Sequence, residues 1–421
     1  VKFVKFTLII LAIAIVSIAV LQIDDELQPS AKALISELEK NYDSTNEAYL
    51  YLNGIQAAEN DSVIDVGRER TKSYKAAEKY LAPSDPNITY QDYNNAKQLD
   101  TPYDDNPVYC KLWKERCLES ILKGKNKWSV ELDFREVILR RYLVFLEYKE
   151  FTTITKPTLY QKFPKYQYIG YGNRLRILRE LQFAENGKAI DAIKSLLKDI
   201  AKLRIQLVTA DSTLHKIMFT MMIANNLDII AYISVKYGVI IDSNIAPLTE
   251  QERDWARPLQ REFGFAYYVF MHGDRNPELF EIGGNTPSWL VRLLFKPHMT
   301  INRVFELNRK VLRFSELSLV EMAKTKLKTN DEYDLNLRNY VGSAFIRMTE
   351  DGQQIFYDLV TRLNDLNLKI ALTNYVINGK KNDLINPYYG QPEVISVENK
   401  KLCLSGPSVD KRNLRCIQVE F

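Results

Sequence analysis

Ser129 to Phe151 reads SVELDFREVILRRYLVFLEYKEF, in which Ile138, Leu139, Tyr142, Leu143, Phe145 and Leu146 recur at spacings of three and four and build one apolar stripe. That stripe predicts an amphipathic helix. The same signal recurs on both sides. Pro29 to Tyr42 (PSAKALISELEKNY) predicts a helix, and a second is expected to start at the amino cap Ser44 and run through EAYLYLNGIQAA. KLWKERCLESILK, beginning at Lys111, is helical in pattern, and further helices are expected over 173–183, 188–209, 213–237, 249–270, 299–325 and 350–377. Short connections make sequential helices antiparallel neighbours, so residues 108–377 predict an irregular, solenoid-like helical bundle. There is no fixed repeat period, which excludes a regular repeat array.

Composition agrees with a mainly α fold. The chain has 421 residues, 46% hydrophobic and 26% charged, enough to bury a core, and its 16 glycines and 15 prolines are too few for a Gly-rich or collagen-like protein. A net charge of +4 supplies no field for a polyanion, so nucleic acid is not an expected partner. Residues 82–107 (APSDPNITYQDYNNAKQLDTPYDDNP) lack a period and predict a long loop or linker after N-terminal helices over 24–81. A tyrosine-rich break is expected over 159–172 (LYQKFPKYQYIGYG). Beyond Asn378 the pattern changes to short alternating runs, PEVISV, KKLCLSG and LRCIQVEF, which predict a small antiparallel β element over 378–421.

The first residues predict the compartment. Lys2 and Lys5 precede the apolar run 7–23 (TLIILAIAIVSIAVLQI), and Asp24, Asp25 and Glu26 follow it. About 17 residues at roughly 1.5 Å each reach roughly 25 Å, a short span of a bilayer core. The charge asymmetry puts a tail, residues 1–6, in the cytoplasm and the rest outside. The expectation is an uncleaved, single-pass anchor in a bacterial inner membrane with a periplasmic body; the rival is a signal peptide cut near Ser17 or Ala19. Ile217–Ile233 is apolar too, but Asn225, Asn226 and Asp228 would be costly in lipid. Four cysteines suit an oxidising side and fall into two local pairs, Cys110 with Cys117 and Cys403 with Cys416. The first pair can close only if Cys110 lies before the helix carrying Cys117, because seven residues of continuous helix separate the α-carbons by roughly 10 Å.

Two short segments carry resemblances. Asn46 to Ala57 (NEAYLYLNGIQA), followed by Gly67-Arg68, is similar to an N-x-A-Y-x-x-L-x-G-I/F-x-A motif of uncharacterised membrane-anchored proteobacterial envelope proteins, a resemblance that implies location but no catalytic residue. The helix RLNDLNLKIALTNYVI leading into Asn386-Pro387-Tyr388-Tyr389-Gly390-Gln391-Pro392, a strand and a Ser405-Gly406-Pro407 turn resembles the carboxyl-terminal element of pseudopilin-like proteins. Proline and glycine turn chemistry accounts for that segment equally well.

Catalytic motifs are scarce. There is no phosphate-binding Walker loop, no G-x-S-x-G elbow and no H-E-x-x-H, and only three histidines are present, His215, His272 and His298. The strongest cluster is FMHGDRNPELF (270–280), where His272 as base, oriented by Asp274, with Ser288 as a nucleophile, would make a hydrolase. No cofactor or metal is expected. The 25 tyrosines gather in loop-like segments, and Tyr166, Tyr168 and Tyr171 are the expected partner-binding rings. The reading favours a protein-binding scaffold, an envelope assembly factor or an immunity-type partner for another envelope protein, over the hydrolase.

Overall fold

Helices form where the apolar spacing places them. The computed structural model describes residues 2–77, 98–101, 107–110, 117–158, 162–271, 291, 293–325, 336–379, 384–393, 396–398, 401–410 and 412–418. Its helices are α1 (Lys2–Gln22), α2 (Pro29–Tyr42), α3 (Glu47–Gly54), α4 (Val63–Ala77), α5 (Cys117–Lys123), α6 (Trp128–Phe134), α7 (Glu136–Phe145), α8 (Tyr166–Phe183), α9 (Ala189–Thr209), α10 (Thr213–Tyr237), α11 (Glu250–Arg253), α12 (Ala256–Met271), α13 (Pro297–Ser315), α14 (Leu319–Lys324) and α15 (Tyr340–Ile377). The chain is mainly helical, with two small antiparallel sheets near the carboxyl terminus.

The main core joins α3, α7, α8, α9, α10 and α15, with α10 at its centre against α9 and α15. By length and composition α10 would suffice to cross a membrane, but it is buried inside the body. A second core packs α2 against α12 and α13 through Ile35, Leu38, Phe263 and Phe305. The N-terminal helices are shared between the two cores, α2 in the second and α3 in the main one.

Several boundaries differ from the sequence expectation. Asn46, not Ser44, caps α3, its side chain accepting from the Tyr49 N–H at 2.8 Å. The 129–151 segment is two helices, broken at Arg135, whose guanidinium reaches Glu131 and the Asp100 carbonyl. The expected 249–270 helix breaks at Asp254, where extended backbone lets Trp255 turn into the core, and 299–325 breaks at Ser318, which starts α14 with its own capping box to Glu321. The tyrosine-rich break is shorter than expected: residues 162–165 are non-helical, but α8 begins at Tyr166 and runs through Gly170 and Gly172. Of the expected 82–107 loop, residues 98–101 and 107 are described, and Gln98 bridges to Ala57.

Every position of the NEAYLYLNGIQA motif has a structural task. Asn46 caps the helix, Ala48 and Leu52 are buried, and the Tyr49 hydroxyl lies 2.8 Å from that of Thr155. Buried Arg141 donates to the Ile55 and Ala57 carbonyls at 2.9 and 2.6 Å, closing the end of α3. Gly54 meets Gly67 of α4 so closely that a β-carbon on Gly67 would lie 1.8 Å from the Leu50 carbonyl oxygen.

At the other end of the chain, β1 (Ile385–Asn386) pairs with β2 (Gln391–Pro392), and β3 (Ser396–Glu398), β4 (Lys401–Cys403) and β5 (Cys416–Gln418) form a three-stranded sheet in that order. Arg415 ties the sheet to α15 through Asp365 at 2.9 Å, and the Tyr388 hydroxyl donates to the same carboxylate at 2.9 Å.

Asp24, Asp25 and Glu26 hold α1 to the body. Asp24 accepts from the N–H groups of His298 and Met299 at 2.9 and 3.2 Å, capping α13 from 274 residues away. The Glu26 carbonyl accepts from Asn302, and Arg338 grips the Ile23 carbonyl at 2.6 Å and the Asp25 carboxylate at 2.7 Å.

Candidate functional site

Of the residues singled out by sequence, His272, Asp274 and Ser288 lie outside the described residues. Tyr166, Tyr168 and Tyr171 are placed, and they do not form an exposed surface. Tyr166 and Tyr168 are buried, the Tyr168 hydroxyl donates to the Leu99 carbonyl at 2.6 Å, and Tyr171 packs edge-on to Tyr109 and Tyr168. All three sit on α8 rather than in a loop, Tyr166 and Tyr168 with their rings turned inward and Tyr171 half-buried. His215 is fully buried among Phe151, Phe219 and Tyr166, and His298 is the second residue of α13. Among the described residues no group of three His, Cys, Asp or Glu side chains could hold a metal ion.

What the structure assembles instead is a small cavity of about 50 Å³ between α5, α8, α10, α15 and the carboxyl-terminal sheet. Arg174 of α8 and Asn225 of α10 form its floor, both buried, and half-buried Lys401 and Arg412 stand at its rim. Asn225 and Asp228 share one face of α10 because they are three residues apart. Lys369 of α15 reaches across to Asp228 at 2.5 Å and to the Cys416 carbonyl at 3.1 Å, binding two helices and the sheet together. Burial pushes the Asp228 carboxyl above its ordinary range, with Lys369 and Lys401 pulling it back.

Two arginines two residues apart on α8 differ sharply. Arg176 pairs with Glu180 and Asp199, both at 2.5 Å, and ties α8 to α9. Arg174 is 2% exposed, and its Nη2 has no hydrogen-bond partner among the described residues. Burial pushes its pKa down to about 10, against which the nearby Asp228 charge acts. The Asn225 amide nitrogen is likewise buried without a described partner. Buried polar groups are nearly always satisfied, and one left open toward a polar cavity points to an ion or water that belongs there.

One disulfide borders this cavity through Cys117, and the other lies within the sheet that helps to line it. Cys110 follows a short 3₁₀ turn (Pro107–Tyr109) and precedes α5, so its α-carbon lies 5.4 Å from that of Cys117, on the cavity wall. Cys403 and Cys416 face each other across β4 and β5 with α-carbons 4.1 Å apart. The strand-to-strand loop is shaped by Asp410, whose carboxylate accepts from the N–H groups of Arg412, Leu414 and Arg415. Asn413 takes a left-handed φ of 56°, a conformation asparagine tolerates better than most residues. The double replacement Cys403→Ser and Cys416→Ser is expected to lower stability by about 3 kcal/mol under oxidising conditions, for a loop of this length. Thermal unfolding of both forms without reductant measures it; an unchanged midpoint would show that the bridge contributes nothing.

The only sequence signal for this site was the polar trio Asn225, Asn226 and Asp228 inside an apolar helix; Arg174, Lys369, Lys401 and Arg412 have no local pattern that sets them apart. Comparison of the chain with protein-family models, with curated proteins and with solved structures gives no match.

Proposed function

We propose that this chain is a single-pass membrane protein whose body lies outside the cytoplasm and works by binding. The observation that carries the reading is the surface of α1. Leu8, Ile9, Ile10 and Leu11 are 57, 57, 51 and 56% exposed, and four consecutive residues at about 100° each go round the whole helix. No single protein face covers an apolar helix on all sides, whereas hydrocarbon does. Lys2 and Lys5 before the run orient it with the body outside, and the two disulfides suit that side. The clasp of Asp24 and Asp25 on α13 and Arg338 sets the body against the anchor without a flexible linker. The cavity beneath the sheet supplies charge and hydrogen-bond donors, the equipment of a binding site. Another envelope protein remains the partner proposed from the sequence, on a surface other than Tyr166, Tyr168 and Tyr171.

The test is alkaline extraction of membranes. The full chain is expected to stay in the pellet, and a variant with Leu8, Ile9, Ile10 and Leu11 all changed to Gln is expected in the soluble fraction. A phosphatase fused after residue 60 is expected to be active outside the cytoplasm. Release of the unaltered chain by alkali, with a mature amino terminus at Val20, would overturn the anchor.

A further inference from the structure

We infer that the cavity under the carboxyl-terminal sheet binds a phosphate group, with Arg174 and Asn225 as floor donors and Lys401 and Arg412 at the rim. The inference deepens the binding reading above by naming a ligand class, and it does not depend on the anchor. Three observations carry it. First, buried Arg174 and Asn225 both line the cavity, and the Arg174 Nη2 and the Asn225 amide nitrogen have no hydrogen-bond partner among the described residues. A buried cation whose hydrogen-bond donors are not all satisfied is costly, and an anion seated against it lowers that cost. Second, the charge is one-sided. Arg174, Lys369, Lys401 and Arg412 line the space, and Asp228 is the one carboxylate among its described lining residues. Third, there is room. The cavity admits water-sized groups over about 50 Å³, enough to seat one tetrahedral oxyanion against the buried donors.

Asp228 favours phosphate over the other small oxyanions. Its carboxylate lines the cavity as an acceptor, so it can receive the proton that a phosphate still carries near neutral pH. Sulfate and acetate bring no such proton and meet the carboxylate as a like charge.

The experiment uses the full chain in detergent, freed of phosphate, and measures calorimetric binding and thermal midpoint with inorganic phosphate, glycerol phosphate, sulfate and acetate. Phosphate is expected to bind saturably and raise the midpoint. Arg174→Met is expected to weaken it by about 30-fold or more, since hydrogen bonds to charged groups are each worth roughly tenfold to a hundredfold. Without phosphate, the same variant should unfold at the same or a higher temperature, because the desolvation cost of the buried guanidinium is gone. Lys401→Met, at the half-exposed rim, should bind about 5-fold more weakly and serves as the second variant should Arg174→Met fail to fold. Glycerol phosphate binding as well as inorganic phosphate supports the proposal with a phosphomonoester as source, and binding of inorganic phosphate alone supports it with the free anion. Sulfate or acetate binding as tightly as phosphate, phosphate binding unaffected by either replacement, or no saturable effect at millimolar phosphate overturns it. Failure here leaves the membrane reading intact, because that reading is tested by extraction.

Discussion

Replacing Gly67 with alanine is expected to destabilise the protein by at least about 3 kcal/mol, the upper range for overpacking, because the added methyl meets backbone rather than a side chain. A β-carbon there would fall 1.8 Å from the Leu50 carbonyl oxygen and 3.0 Å from the Gly54 nitrogen. No rotamer change relieves a clash with main chain; α4 would have to move off α3. That movement would break the Asn53 to Thr71 hydrogen bond at 3.1 Å and pull on the α3 end that Arg141 holds. Gly54→Ala is expected to do the same, since its β-carbon would lie 1.8 Å from the Val63 carbonyl. The two should be strongly non-additive, because once the helices part the second methyl finds room. Gly352→Ala is the control. It lies in α15 with no atom within 4 Å of the new carbon, and should stabilise by about 0.5–1 kcal/mol. Denaturant unfolding of the four variants measures all of this, and additive small losses at Gly54 and Gly67 would show that the helices do not cross where the structure puts them.

These glycines show what a single sequence can and cannot convey. Helix positions were legible in α2, whose burial is one-sided, and in α10, which is buried on all sides but ends at the caps Ser212 and Gly238; their observed bounds, Pro29–Tyr42 and Thr213–Tyr237, are those expected from the sequence. The start of α8 was not legible, because Pro164, Gly170 and Gly172 read locally as turn residues while the packing of Tyr166, Tyr168 and Ile169 into the core overrides that preference. The disulfides were legible because pairing between near neighbours is set by local geometry. The cavity was not, because its lining comes from α5, α8, α10, α15 and the sheet, and groups 47 residues apart, such as the Lys369 ammonium and the Cys416 carbonyl, meet only in three dimensions. The Asn46–Ala57 motif stood out in the sequence for a packing reason, and chemistry gathered elsewhere.

Acid is expected to weaken the fold through His215. Its ring is fully buried 4.2 Å from the Phe151 ring and 4.4 Å from that of Phe219, with the Tyr166 hydroxyl 3.3 Å from Nδ1. Burial, aided by the positive charges of Lys216 and Arg257, pushes its pKa down from 6.5 to about 3. The unfolded chain takes up the proton near pH 6.5 and the folded chain only near 3, so between those values the unfolded state holds more protons. The stability contribution is therefore complete above about pH 6.5 and is lost as the pH falls toward 3, by about 1.4 kcal/mol per unit and about 5 kcal/mol in all. Asp365 acts in the opposite sense. Burial raises its carboxyl to about 6, so the folded state holds the extra proton between that value and 3.8, and stability through this group rises on acidification. The slope of the wild-type protein mixes the two, and the difference between variants separates them. His215→Phe keeps the ring stack and removes the titration, so between pH 7.5 and 5 it should lose about 2 kcal/mol less than the wild type in denaturant unfolding. Equal losses would mean that His215 is protonated inside the fold at pH 5, which requires a carboxylate or water beside Nε2, where none of the described residues supplies a partner.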